Sequence, residues 1–541
     1  MLNRKVSRRA FLAISTIAAA SFGLDWKRIA LCAEKMGQTG DYPTVIIGSG
    51  LGGLCCGAYL AKQGIPVTVL EQRDKVGGYA TSFSRGNGKF TFDVALHGMT
   101  ARDNSTARIL QDLGVLKELE FAELPEVYRL NTPDIEISVP QRDPEKYIHI
   151  LSEHFPSEKE GIRGFIDEII GIAQEGDKLH RRGKFSKLTF PFRYPKLYGV
   201  FNQTLSEFMN GYTKNLALQN ILASLWDFHG LPPSKVSGLY YAAAKGDSLR
   251  NGTYYVKPRS RDLSGALAET IKRSGGQILT RAGAERIQVK KGAVTGVAVT
   301  GGKTLPARAV LCNANVLDVF QRMLPQEAVP EDYLRQLETY KPSLSTFIVW
   351  LGLNHEVRGK IKACGIQSLS GQGPEADYQA CLRGEVEKVP YRISVYDNIY
   401  EGYSQPGTST LRILCLSGYK PWRRFEADYR AGRKKEYYKE KARWVRCLIR
   451  RAEQILPGLS EMIEIEVAAT PLTNWRFTRN TEGAIYGFEQ SVDNAYIKRL
   501  EHRTPIKGLY LASAWCHPGG GFSGVLLSGQ IAFREMMEDW A

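Results

Sequence analysis

The residues in this chain best placed to do chemistry form a glycine loop, Gly48-Ser49-Gly50-Leu51-Gly52-Gly53, which matches G-x-G-x-x-G. Before it stands the β-branched run Val45-Ile46-Ile47, which reads as a buried parallel strand. Residues 54–63 read as a helix ended by Gly64, and Pro66-Val67-Thr68-Val69-Leu70 is the next strand. Glu71 closes that strand, 23 residues after Gly48, with Gln72 beside it. Strand, glycine turn, helix, strand and acid together form a dinucleotide fingerprint. Gly48 permits the tight turn, Gly50 lets the backbone approach a pyrophosphate, and Gly53, helped by Gly57, lets helix and strand pack closely. The helix N-terminus offers free N–H groups to phosphate. Glu71 can accept hydrogen bonds from ribose hydroxyls and repels a 2′-phosphate. A second match, Gly371-Gln372-Gly373-Pro374-Glu375-Ala376, is loose, does not read as a strand–turn–helix unit and is discarded.

Two further glycine motifs favour FAD over NAD. Arg73-Asp74-Lys75-Val76-Gly77-Gly78 follows the acid directly. Near the C-terminus, the strand Gly508-Leu509-Tyr510-Leu511-Ala512-Ser513-Ala514 leads into His517-Pro518-Gly519-Gly520-Gly521-Phe522-Ser523-Gly524-Val525. That loop opens a final helix whose N-terminus can face flavin or phosphate. No second complete fingerprint exists for a nicotinamide nucleotide.

The chain resembles the phytoene desaturase, carotenoid isomerase and retinol saturase branch of the FAD-dependent amine oxidase-like superfamily, from about residue 43 to the C-terminus. Beside the glycine motifs, the resemblance rests on Phe92-Asp93-Val94-Ala95-Leu96-His97-Gly98, Glu285-Arg286-Ile287-Gln288-Val289, Ala309-Val310-Leu311-Cys312-Asn313-Ala314 and Glu482-Gly483-Ala484-Ile485-Tyr486-Gly487-Phe488. The chain departs from the family in one place, where Lys257-Pro258-Arg259-Ser260-Arg261 replaces a Pro-Lys-Gly-Gly stretch. The resemblance implies an α/β fold: a discontinuous Rossmann-type FAD-binding domain (41–105, 250–315 and 490–541) with an inserted α+β substrate domain (106–249 and 316–489) built on a mixed sheet. Leu344–Leu353 and Thr410–Leu416 read as strands of that sheet. Lys434 to Leu456 reads as an amphipathic helix, with Tyr437, Lys441, Trp444, Leu448, Ala452 and Ile455 at helical spacing and Pro457-Gly458 as its stop.

The implied activity is FAD-dependent desaturation or saturation of carbon–carbon bonds in a polyene or isoprenoid lipid, such as a carotenoid or retinoid. The alternatives are a redox-neutral cis–trans isomerase, a flavin amine oxidase with an aromatic cage and a lysine–water contact, and a non-catalytic flavin-bearing lipid-binding protein. The resemblance places Ser49, Leu51, Gly52, Gln72, Gly77, Gly78, Val289, Ser513, Gly520, Gly521 and Val525 with Gly48, Gly50, Gly53 and Glu71 around the cofactor. His97 and Glu489 are the candidate acid–base residues, and His517 is expected to shape the flavin pocket. Cys55 and Cys56, on the first helix, read as packing residues.

The rest of the sequence bounds class and location. A chain that is 43% hydrophobic and 24% charged is neither disordered nor collagen-like. No uncharged apolar run approaches 20 residues, which excludes a polytopic membrane protein. Nine scattered cysteines with no CxxC pair and no Cys/His metal spacing read as free thiols, and no metal site is expected. Ser7-Arg8-Arg9-Ala10-Phe11-Leu12 resembles a twin-arginine export signal, and the uncharged stretch from Ala10 to Leu24 fits its apolar region. Residues 1–34 are therefore expected to be a signal peptide of a periplasmic or peripheral membrane protein, with an uncleaved anchor as the alternative. The formal charge of +16 is concentrated in residues 178–215, which carry eight basic side chains and one acid, and residues 420–451, which carry thirteen and four. The first segment interleaves these cations with Phe185, Phe190, Phe192, Tyr194, Tyr198, Phe201, Phe208 and Tyr212. Both segments suit a membrane surface, the alternative being solvated helices with core aromatics. Nucleic acid is not expected beside an export signal and a flavin core. An exported enzyme meets little soluble NADPH, so a membrane quinone is the expected redox partner.

Overall fold

The computed structural model describes residues 43–182, 189–361 and 363–540. The expected signal peptide and Phe185 lie outside these residues. A five-stranded parallel sheet forms one half of the molecule, in the order Leu509–Leu511, Ala309–Cys312, Thr44–Ile47, Val67–Leu70, Gln277–Leu279. Its strands come from three separated stretches of chain. A parallel sheet needs crossovers and is covered on both faces, so its central strands are mostly apolar. All four residues of Thr44–Ile47 are buried. The helix Leu51–Lys62 buries eleven of its twelve residues, packing against the helices Ser260–Arg273 and Phe522–Trp540. A three-stranded antiparallel meander, Ala284–Lys290, Ala293–Val299 and Thr304–Pro306, adjoins this half.

The second half is built on a seven-stranded mixed sheet, in the order Ile463–Ala469, Ser345–Leu353, Ser409–Ser417, Tyr391–Val395, Gly365–Ser368, Tyr128–Asn131, Glu136–Val139. Side chains alternate faces along each strand, so register decides what each face presents. Ile348 pairs with Leu414 and Trp350 with Arg412, while Ser394 pairs with Arg412 and Arg392 with Leu414. Gln367 pairs with Arg392. These residues therefore share one face. Phe347, Val349, Leu351, Ile413, Cys415 and Ile393 point the other way, into a core that includes Trp422 and Trp444. Trp444 lies on the helix Lys435–Glu453, whose buried residues include Tyr437, Leu448 and Ala452. Its ring centroid is 5.0 Å from that of Phe347 and 5.3 Å from that of Trp422. Burying each such indole contributes about 4–6 kcal/mol of transfer free energy.

The two basic segments are less exposed than their composition suggests. In residues 178–215, Phe190, Tyr194 and Phe208 are core residues, and Phe201 and Tyr212 pack against that core. Phe192 and Tyr198 stand 87% and 55% exposed. In residues 420–451 many cations are held in local ion pairs, among them Arg430–Glu426, Arg433–Asp428, Lys439–Glu436 and Arg443–Glu440. The eight cysteines among the described residues are free, and all but Cys447 are buried. No described helix is long and apolar enough to cross a membrane.

Candidate active site

Between the two sheets lies a cavity of about 960 Å³. The glycine loop forms one wall. Gly48 turns with φ +93°, and a Cβ there would land on the Asn313 carbonyl oxygen. Gly50 caps the helix Leu51–Lys62 without a side-chain hydrogen bond, which leaves the first-turn N–H groups free for an anion. A Cβ on Gly52 would sit 2.7 Å from the Ala512 carbonyl oxygen and 3.2 Å from that of Val525. The N-terminus of the helix Phe522–Trp540 thus meets the first helix at this glycine. Gly48–Gly52, Gly77, Gly78, Ser513, Gly521 and Val525 all line the cavity. Glu71 and Gln72 line it as well. One Glu71 oxygen accepts from the Ser49 N–H at 3.1 Å and from its hydroxyl at 2.5 Å, and the other accepts from the Arg73 N–H at 2.8 Å. This set of groups fits a dinucleotide: two helix N-termini for its phosphates and a carboxylate for a ribose.

Three expected cofactor residues do not line the cavity. Gly53 sits behind it, where a Cβ would strike the Gly48 carbonyl oxygen, so its role is packing. Gly520 packs against Tyr486, and its carbonyl accepts from the Tyr240 hydroxyl at 3.3 Å. Val289 lies toward the far end of the meander strand, while Arg281, Gly283, Ala284 and Thr300 supply the lining from this region. A strand rising from the cavity leaves it after one or two residues, which carries Val289 out of reach.

The acid–base candidates also change. Glu489 is not part of the cavity lining. Gly487, at φ +70°, packs against the backbone of Ala514 and Trp515, and the chain beyond it runs away from the cavity. There the Glu489 N–H donates to the Lys341 carbonyl at 2.8 Å. His517 is not at the cavity either. Its Nδ1 lies 2.7 Å from the Tyr496 carbonyl oxygen. His97 does line the cavity, but it faces Arg412, whose Nη2 is 2.6 Å from its Nδ1. A guanidinium can only donate, so the imidazole presents an unprotonated nitrogen. Burial, then Arg412 and Arg392, hold its pKa well below the ordinary value. His97 is therefore a neutral ring and no proton donor at neutral pH.

Other residues of the site are not marked in the sequence. Arg392 lines the cavity from the mixed sheet, and Arg412 stands on the same sheet face behind His97, each a single cation inside an apolar run. Arg499 sends hydrogen bonds to five backbone carbonyls, those of Tyr486, Phe488, Glu489, Asn494 and Ala514, at 2.6–3.2 Å. It thereby ties together two strips of the cavity wall that meet at Tyr486 and Ala514. Where the chain departs from the family pattern, the Arg259 guanidinium lies 3.5 Å from the Tyr403 ring centroid and donates to the Tyr403 carbonyl at 2.6 Å. Asp93 fixes the same corner. It accepts from the Ser260 N–H at 3.1 Å at the start of the helix Ser260–Arg273, and from the Ser260 and Tyr255 hydroxyls. Among the described residues, no lysine lines the cavity, and no group of His, Cys, Asp and Glu could hold a metal ion.

Four buried or half-buried histidines make stability pH-dependent. Besides His97, burial lowers His180 to about 4 and His229 and His517 to about 3. Their neutral forms belong to the folded state, so their contribution is complete above the unfolded value near 6.5 and is lost as pH falls below it. Each costs about 1.4 kcal/mol per pH unit until its own folded value is reached. His502 runs the other way. Burial would lower it, but the Cys516 charge and hydrogen bond outweigh burial and raise it to about 9. Its contribution is full below 6.5 and fades as pH rises through 9. Thermal midpoints are expected to fall steeply from pH 6.5 to 4.5, and substitution of His229 by a neutral residue should flatten that slope.

The chain belongs to the flavin-containing amine oxidoreductase family, which matches residues 51–537. It is a flavin-dependent oxidoreductase with a Rossmann-type FAD-binding domain, and its cofactor is FAD. It is similar to the all-trans-retinol 13,14-reductase of Danio rerio, at 25% identity over 91% of this chain and 86% of that one. It is also similar to prolycopene isomerase 1 of an Oncidium hybrid cultivar, at 26% identity over 94% of this chain and 86% of that one. Among solved structures, an oxidoreductase from Methanosarcina mazei shares the fold, with a TM-score of 0.62 at 15% identity, covering 92% of this chain and 100% of that one.

Proposed function

We propose that this flavoenzyme adds hydrogen to, or removes it from, a carbon–carbon bond of a polyene or isoprenoid lipid. The observation that carries the reading is the apolar part of the cavity wall. Val94, Ala95, Leu96, Phe228, Ile348 and Leu414 line the same cavity as the glycine loop. Burial of apolar chain against such a wall supplies affinity at about 25 cal/mol per Å². The two relatives named above, a retinol reductase and a prolycopene isomerase, support the same substrate class. FAD, when bound, exchanges a hydride with a substrate carbon. The wall excludes water and orients the chain, and neutral His97 offers no acid.

The exposed Phe192, Tyr198 and Leu216, from three short helices, support a membrane surface as the source of such a lipid. Exposed Arg193 and Lys214 stand nearby in sequence.

The test is an anaerobic titration of the purified holoenzyme with a polyisoprenoid extract, followed by mass spectrometry. Bleaching of the oxidised flavin with loss of two hydrogens from a polyene is expected for a desaturase. Reoxidation of the reduced enzyme with gain of two hydrogens is expected for a saturase. A changed double-bond geometry at constant mass means an isomerase. Bleaching by primary amines alone would refute the reading.

A further inference from the structure

We propose that the lipid substrate bears a carboxylate at one end and that Arg392, with Arg412 behind it in the same sheet, receives it. The inference rests on the polyene reading above and names its substrate class more narrowly. Arg412 is 1% exposed and Arg392 5%. The two stand on paired strands, on the sheet face turned to the cavity. Among the described residues neither has a carboxylate partner. Arg412 donates to the Val94 carbonyl at 3.3 Å and, through Nη2, to the Leu96 carbonyl at 3.4 Å and to His97 at 2.6 Å. The Ser394 hydroxyl is 3.5 Å from the same Nη2, and Nε has no partner. Arg392 lines the cavity and stacks 4.0 Å from the Phe228 ring centroid. Its Nε and Nη2 donate to the Gln367 side-chain oxygen at 2.9 and 2.7 Å.

The one acid in this group is Asp227, one hydrogen bond further away. Its Oδ2 accepts from Gln367 Nε2 at 3.0 Å, and its Oδ1, buried, has no partner. Two guanidiniums are thus set against a single carboxyl, whose pKa burial raises and Arg392 opposes. A buried charge without a partner is costly, and a tunnel built for pure hydrocarbon has no use for one. Neutral His97 belongs to the same arrangement, because it keeps the guanidinium of Arg412 in place without cancelling its charge. A carboxylate would supply the missing negative charge and accept in the bidentate manner that guanidinium favours.

The test uses the FAD-loaded full chain and three probes of one skeleton: all-trans-retinoic acid, all-trans-retinol and the matching hydrocarbon. Binding is read from perturbation of the flavin spectrum at neutral pH. The acid should bind about tenfold or more tighter than either other probe, the scale of a hydrogen bond between charged groups. In Arg392→Gln that preference should collapse, in Arg412→Gln it should weaken, and Arg392→Lys should retain part of it. Should either variant fail to fold, the ranking in the wild-type protein decides. Equal or tighter binding of the alcohol or hydrocarbon overturns the headgroup assignment and leaves the polyene reading standing. Failure of all three probes to bind overturns both.

Discussion

Gly48→Val should yield a folded but colourless protein. Position 48 has φ +93°, where an L-residue costs roughly 1–3 kcal/mol in backbone strain alone. The larger cost is steric. The new Cβ would land on the carbonyl oxygen of Asn313, in a backbone held by the Asn313 N–H bond to the Ile47 carbonyl at 2.8 Å. Neither strand can move alone, because Ile47 and Cys312 are paired in the same sheet. The loop must therefore shift, and with it the N–H groups that face the cavity. Flavin content after purification should drop to under about a tenth of the wild-type level, a loss of at least about 1.4 kcal/mol in binding. Gly265→Ala is the control. A Cβ there meets nothing within 4 Å, and the site lies inside the helix Ser260–Arg273. That change should be neutral or stabilise by up to about 1 kcal/mol. Normal flavin content in Gly48→Val would show that the loop does not hold the cofactor.

Arg499→Met should cost roughly 4 kcal/mol or more of stability and release FAD. Methionine fills similar space but donates nothing, so five carbonyls lose their shared donor in a site that is 2% exposed. An unsatisfied buried acceptor costs about 1–3 kcal/mol, and relaxation recovers part of the total. The lost contacts hold Tyr486 and Ala514, both of which line the cavity, so cofactor retention and stability should fail together. Arg499→Lys keeps the charge but brings three donors instead of five, and an intermediate effect is expected. Chemical denaturation read by tryptophan fluorescence, alongside flavin absorbance, checks both quantities. A loss below about 1 kcal/mol would mean that water replaces the guanidinium, against the burial seen here.

The glycine loop and its flanking strands were legible because their causes are local. Gly48 needs positive φ, β-branched residues favour the strands, and an acid at the strand end meets a ribose. The helix Lys435–Glu453 was legible from the 3.6-residue period of Tyr437, Trp444, Leu448 and Ala452. The strands Ser345–Leu353 and Ser409–Ser417 announced themselves as apolar runs, but not what their faces would meet. Arg412 in Thr410–Leu416 looks like a stray cation until register sets it beside Ser394 and Trp350.

The sequence by itself thus determined the strand, glycine turn, helix and strand that run from Val45 to Glu71, and, through resemblance, which family of flavoproteins the chain joins. Only the tertiary structure decided which residues share the cavity. Gly52 meets Val525, and His97 meets Arg412, across hundreds of residues of chain. Glu489 and Val289 sit close in sequence to site residues yet point elsewhere. The physical reason is that backbone conformation is set by neighbours in the chain, whereas a side chain's charge state and partners are set by neighbours in space.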